Sequence, residues 1–153
     1  MIDTIVLTFT SKMYRITEPD KFRPSARWIE NPLMLSSDIK SKQHITKKEL
    51  CRGIYKPCLT LSNCTGPSGY RDIMLKVELS LPKLLFGNNF QELRYKDFSL
   101  ITKKLVEKLE CMGVEIDENV LAHAHVSAIH YAKNIVLKDG STPFHYIRPL
   151  LKP

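Results

Sequence analysis

The chemistry-bearing residues of this chain gather near its C-terminal end. His123-Ala124-His125 leads into Val126-Ser127-Ala128-Ile129-His130-Tyr131-Ala132-Lys133-Asn134-Ile135, a short β-prone run holding three histidines, a tyrosine and a lysine. On a strand, side chains alternate between faces with a period of two, so His123 and His125 share a face. Two neutral imidazoles so placed can be offered to one divalent ion, Mg or Mn in the setting of phosphodiester cleavage. If residues 123–131 form one strand, Ser127, Ile129 and Tyr131 share that face, and His130 falls on the other. Tyr131 is then the candidate nucleophile of a metal-assisted attack. Two imidazoles rarely hold a catalytic ion alone. Asp3, Glu78 and Glu115 are candidates for a third ligand, and the sequence places none of them. Lys133 and Asn134, at the strand exit, are candidate phosphate contacts. A purely structural reading competes. Residues 117–122 have the pattern of a short helix, and if it continues through Ala124 the two histidines diverge.

Other signatures are missing. Gly66-Pro67-Ser68-Gly69 lacks the lysine and following helix of a phosphate-binding loop, and there is no G-x-S-x-G nucleophile elbow. The four cysteines, Cys51, Cys58, Cys64 and Cys111, contain no C-x-x-C pair, which argues against a structural zinc site. Free thiols in a reducing compartment are expected.

Charge points to a class of partner. The 153 residues carry a formal charge of +7. Residues 11–56 hold eleven Lys and Arg against five Asp and Glu, whereas residues 57–153 hold twelve against ten. A basic excess confined to one third of a chain is the footprint expected for a phosphate backbone. Its members Arg15, Lys21, Arg23, Arg27, Lys47, Lys48 and Arg52 are the candidate nucleic-acid contacts. Trp28 lies among them, as a base-stacking clamp or as a packing anchor.

These residues need a scaffold. With 43% apolar and 25% charged residues, the chain reads as one globular domain, 1–153, with a basic irregular segment at about residues 11–52. No run approaches the roughly 18 apolar residues of a membrane span. The opening Met1-Ile2-Asp3-Thr4-Ile5-Val6-Leu7-Thr8-Phe9 is too short and too acidic for a signal peptide, so a cytoplasmic location is expected. It reads as a strand over about residues 2–9, with Ile5, Leu7 and Phe9 on one face and Thr4 and Thr8 on the other. Thr46 and Glu49 stand in capping-box spacing for a short helix ending near Gly53. Residues 54–61 and 73–81 read as a hairpin, the second strand alternating Ile73, Leu75, Val77, Leu79 and Leu81 with polar residues. Residues 82–90 carry the chain across. A helix over about residues 98–112 has an apolar stripe of Phe98, Ile101, Leu105, Leu109 and Met112, with Asp97 as cap and Gly113 as terminator. A last helix starts at Thr142-Pro143. The order is βαββαβ. It predicts an α+β, ferredoxin-like or split βαβ antiparallel sheet, with helices on one face and the first and last strands central.

Several segments resemble a known family. Met1-Ile2-Asp3-Thr4-Ile5-Val6-Leu7, Gly53-Ile54-Tyr55-Lys56-Pro57 with Leu59-Thr60-Leu61, residues 82–90 (Pro-Lys-Leu-Leu-Phe-Gly-Asn-Asn-Phe), and the Val126–Ile135 run look like phage and plasmid replication proteins of the gene II/X type. These are the filamentous-phage initiators of rolling-circle replication. The resemblance implies a domain that binds a single-stranded or hairpin DNA origin and contributes to metal-dependent nicking and joining. Family members are longer, and their nicking tyrosine is expected downstream of the matched region. The family pattern does not include His123-Ala124-His125. Two other readings stand beside it: an RNA-binding module of the same topology, and a protein-interaction domain with a basic contact surface.

Overall fold

Alternating apolar and polar side chains build the centre of the molecule. The structure, a computed structural model, describes residues 2–24, 40–65 and 71–132. Strand β1 (Ile2–Phe9) pairs antiparallel with β5 (Arg71–Ser80), setting Ile5 opposite Leu79, Leu7 opposite Val77 and Phe9 opposite Leu75. Strand β4 (Cys58–Thr65) continues the sheet beyond β5, with Leu59 opposite Val77 and Leu61 opposite Leu75. Residues directly opposite one another project to the same face, so these side chains form one apolar wall. Strands β3 (Lys40–Gln43) and β7 (His125–Tyr131) complete a five-stranded antiparallel sheet in the order β3-β4-β5-β1-β7.

The helices cover that wall. Helix α2 (Leu81–Phe86) contributes Leu81 and Leu84. Helix α3 (Phe98–Cys111) contributes Ile101, Leu105 and Leu109, and the short α4 (Glu118–Ala122) contributes Leu121. All belong to one buried cluster with Leu7, Phe9, Leu59, Leu61, Leu75, Val77 and Leu79. Each such side chain contributes roughly 1.5–3 kcal/mol on burial, so this layer dominates stability. A two-stranded ladder of β2 (Arg15–Ile16) with β6 (Val114–Glu115) closes one end, Val114 and Ile116 entering the same core.

The α+β, split βαβ architecture with helices on one face agrees with the sequence reading. Several details differ. The last strand is not central: β7 lies outside β1, at the end of the strand order. The hairpin strand begins at Cys58 rather than residue 54 and runs to Thr65, since Pro57 cannot donate to a ladder. Leu81 leaves the strand to open α2, which has Pro82 in its first turn and Gly87 as a left-handed cap at φ 74°; proline is tolerated there because that N–H needs no intrahelical partner. Asp97 does not cap α3 through its side chain but accepts the Arg94 amide at 2.8 Å. Phe98 remains 43% exposed rather than joining the buried stripe. The basic segment is not wholly irregular, since it holds β2 and β3. Helix α1 (Lys47–Cys51) has the expected capping box of Thr46 and Glu49, and none of its residues is buried. The expected helix at Thr142-Pro143 and Trp28 lie outside the described residues.

Candidate nucleic-acid interface

Two β-bulges decide where the histidine-rich strand points its side chains. β7 pairs with β1 as Ile2↔Tyr131, Thr4↔His130, Ile5↔Ile129, Val6↔Ala128, Leu7↔Val126 and Thr8↔His125, with irregularities between Ile2 and Thr4 and between Val6 and Leu7. Ser127 is the extra residue of the second bulge, and its Oγ donates to the Val6 carbonyl at 3.2 Å. An extra residue reverses the alternation beyond it. Val126 and Ile129 therefore follow Leu7 and Ile5 on the helix side, whereas His125, Ala128 and His130 follow Thr8, Val6 and Thr4 on the opposite face.

This overturns the geometry expected of the candidate metal site. His123 is not on the strand; it ends α4, which Asp117 caps by accepting the Asn119 amide at 2.8 Å. His123 and His125 thus belong to different elements, and period-two alternation does not relate them. Tyr131, 73% exposed, sits opposite Ile2 at the strand end, on the helix side of the sheet rather than beside His125. His130, read as facing away from His125, shares its face. Among the described residues, no three His, Cys, Asp or Glu side chains converge as a metal-ligand group. All four cysteines are free.

The basic segment divides between two places. Arg15 pairs with Glu115 across the β2–β6 ladder at 2.5 Å. Lys21 pairs with Glu18 at 2.6 Å and donates to the Cys111 carbonyl at 2.9 Å. These two are held at the α3 end of the molecule. Lys47, Lys48 and Arg52 are exposed on and just after α1. Arg23 is elsewhere: its backbone exchanges two hydrogen bonds with Lys42, both 2.8 Å, as an isolated antiparallel bridge beyond β3. Arg27, Lys133 and Asn134 lie outside the described residues.

That bridge extends a row of residues across the whole sheet. Arg23 is opposite Lys42, Lys42 opposite Thr60, Thr60 opposite Lys76, Lys76 opposite Thr8, and Thr8 opposite His125. All six therefore project to one face, which is the face away from the core. Strand spacing of about 4.8 Å makes this line about 24 Å long over its five steps. The neighbouring positions on the face are Lys40, Ser62 and Met74 on one side, and Cys58, Glu78, Val6 and Ala128 on the other. No described helix packs on this face, although Val6 on it is only 4% exposed. Its cations are Arg23, Lys40, Lys42 and Lys76, and Glu78 lies on the same face, 3.8 Å from Lys76. Asp72, at the far end of β5, accepts the Ser11 and Ile73 amides. Among the described residues, the His125 imidazole is the one aromatic ring of the row, and no Phe, Tyr or Trp is in the row or at these neighbouring positions.

Lys40, Lys42 and Lys76 were missed as contacts in the sequence. Lys76 was legible as the polar half of the β5 alternation. Lys40 and Lys42 were not, because Ser41 and Gln43, the buried positions between them, are polar and give β3 no apolar period.

Two tyrosines are structural phenols. Tyr14 donates to the Ile73 carbonyl at 3.1 Å, and burial with the nearby Asp72 charge raises its pKa. The Tyr55 hydroxyl accepts the Ser80 amide at 2.5 Å, and burial pushes its pKa up to about 12 despite that bond. Both are held neutral, the opposite of an activated nucleophile. At the edge of the face, Glu49 is held down at about 2 by its hydrogen bond to Lys56 and by the Thr46 amide and hydroxyl.

Compared with known proteins, the chain matches no family model, no curated protein and no solved structure.

Proposed function

We propose that this chain is a DNA-binding domain of a rolling-circle replication initiator of the gene II/X type, and that it holds single-stranded DNA across the face of its sheet opposite the helices. The observation that carries the binding is the row Arg23–Lys42–Thr60–Lys76–Thr8–His125. The initiator assignment itself rests on the resemblance of the segments quoted above. Shape favours a single strand. The major groove of a duplex, about 12 Å wide, admits a helix or a two-stranded ribbon but not a five-stranded sheet. A line of about 24 Å accommodates about seven nucleotides at a rise of 3.4 Å, and fewer if the strand is extended.

The contacts are of one kind. Arg23, Lys42 and Lys76 neutralise phosphates, and Thr8 and Thr60 supply hydroxyls between them. Among the described residues the row carries no Phe, Tyr or Trp, and the His125 imidazole at its end is its one ring, so binding is dominated by charge and tolerant of sequence. This same feature weighs against an RNA-recognition module that works by stacking bases on its central strands. Binding stands ahead of nicking in this reading, because Tyr131 and His125 occupy opposite faces.

Fluorescence anisotropy with single-stranded, hairpin and duplex DNA at 50 and 200 mM salt tests the proposal, with products run on a denaturing gel in the presence of Mn²⁺. Three phosphate contacts give a slope near −2, so affinity for the single strand falls about twentyfold between the two salts. An affinity independent of salt, or no binding to any form, would overturn the proposal and leave the basic residues as a protein-contact surface. A covalent adduct on the gel would add strand transfer to the function.

A further inference from the structure

The connection between α2 and α3 leaves its aromatic side chains in solvent. Phe90 is 84% exposed and Tyr95 95%, and Phe98 and Leu100 at the start of α3 are exposed as well. Tyrosine is normally used for its large apolar body, and Tyr95 buries almost none of it. The backbone sets it there. Tyr95 opens a 3₁₀ turn (Tyr95–Asp97) in which the Asp97 carboxylate accepts the Arg94 amide at 2.8 Å. Its ring centre lies 6.5 Å from that of Phe98, the two planes tilted by 51°. We infer that Tyr95 and Phe98 form a stacking platform for the bases of a DNA strand, with Arg94 and Lys96 on its phosphates. The inference rests on the reading above that the partner is single-stranded DNA.

Charge selects the occupant. Exposed apolar patches mark interaction sites of several kinds. This one is interleaved with cations. Arg94 and Lys96 flank Tyr95, both are exposed, and neither is in a salt bridge among the described residues. Residues 90–104 hold four Lys and Arg against two Asp and Glu, and one of those two, Asp97, is engaged by the turn. Rings alternating with uncommitted cations suit a polyanion that carries flat rings of its own. Arg94 and Lys96 also line a cleft of about 470 Å³ with Phe86, Gln91 and Glu92, which is room for a nucleotide beside the turn.

Position supplies the second half. Lys76 and Ser80 lie opposite Thr8 and Thr4 and project to the same face of the sheet. They are four residues apart on β5, about 13 Å, with Glu78 between them. Ser80 Oγ donates to Asn89 Oδ1 at 3.0 Å, so the α2–α3 connection meets that face at the end of β5. A strand that leaves the row at Lys76 and follows β5 reaches the connection after about four nucleotides at a rise of 3.4 Å. The row supplies the charge, and the connection supplies the rings that the row, His125 apart, does not have.

The experiment is an anisotropy titration of the full chain with an oligodeoxythymidine of about 16 nucleotides and with an abasic strand of the same length. The abasic strand keeps the phosphates and lacks the bases. The wild type prefers the oligodeoxythymidine, and Tyr95→Ala weakens that binding about 5- to 150-fold, the range for one stacked base. The same substitution leaves the abasic strand at its wild-type affinity and the salt slope unchanged. Tyr95→Phe binds like the wild type, because the ring and not the hydroxyl stacks. Lys96→Gln weakens both strands and flattens the salt slope by about 0.7. Tyr95 is so exposed that its variants fold like the wild type, which circular dichroism checks. The inference is overturned if Tyr95→Ala leaves the oligodeoxythymidine at the wild-type affinity, or weakens both strands equally. Loss of binding to phosphatidylserine vesicles in Tyr95→Ala, with the oligonucleotide unaffected, would also overturn it and assign the patch to a membrane surface. The sheet face is tested apart. An unchanged salt slope in the Lys42→Gln, Lys76→Gln double variant sinks that reading while the Tyr95 result stands, and a wild type that binds neither strand sinks both.

Discussion

Replacing Gly113 by alanine tests how the helix layer is tied to the start of the basic segment. Gly113 has φ 78°, and a Cβ added there meets the Glu18 Cβ at 2.6 Å. Its carbonyl accepts the Thr17 amide at 2.9 Å and the Glu18 amide at 3.4 Å, so the glycine holds the chain that follows β2. Gly87 is a built-in control, with φ 74° and nothing within 4 Å of the same added carbon. For both, the left-handed conformation costs about 1–2 kcal/mol in an alanine, offset by about 0.4–1 kcal/mol from a less flexible unfolded chain. Gly87→Ala therefore loses about 1 kcal/mol.

Gly113→Ala carries more. Carbon atoms pack at about 3.5–4.0 Å, so the Glu18 backbone must retreat by about 1 Å. Overpacking of this kind costs about 1–3 kcal/mol, and weakening the two hydrogen bonds adds about 1 kcal/mol. The expected loss is about 3–5 kcal/mol. Urea unfolding followed by circular dichroism measures both variants. With a slope of about 2 kcal/mol per molar, the two midpoints separate by about 1–2 M. Equal midpoints would refute the reasoning, because they would mean that Glu18 moves aside freely. Gly113→Ala should bind single-stranded DNA normally wherever it is folded, since the β2–β6 ladder is separate from the five-stranded sheet whose far face carries the row.

Lys42→Gln and Lys76→Gln should each flatten the salt slope on single-stranded DNA by about 0.7, and together by about 1.4; an unchanged slope in the double variant removes the row from the interface. Tyr55, with its pKa raised to about 12, favours the folded state fully below pH 10 and loses that contribution as pH rises through 12. The shift corresponds to on the order of 2–3 kcal/mol. Tyr55→Phe should therefore flatten the alkaline fall of the urea midpoint, while a fall as steep as wild type would count against burial of the phenol. Glu49 works in the other direction: its pKa, lowered to about 2, stabilises α1 above pH 4.5 and ceases to do so as pH falls through 2. Carboxyl NMR should show Glu49 titrating well below its neighbours, and Thr46→Ala should move it back up; no movement would deny the capping box its part.

Much of the scaffold was legible because its cues are local. The alternation of Ile73, Leu75, Val77 and Leu79 announced β5, the stripe of Ile101, Leu105 and Leu109 announced α3, and Thr46 with Glu49 announced the cap of α1. Each depends on neighbours two to four residues away, and backbone geometry alone sets those spacings. The basic excess of residues 11–56 was equally plain, as was the polar face of β1. The candidate site was less legible. Whether His125 shares a face with Tyr131 or with His130 depends on one extra residue, Ser127, placed by pairing with a strand more than a hundred positions earlier. Whether Arg23 joins Lys42 depends on a bridge spanning the residues between them, and β3 has no apolar period to reveal it. Local periodicity tells a residue which way to point relative to its neighbours in the chain. Register between distant strands decides what it points beside, and that is settled only when the strands pack against a common core.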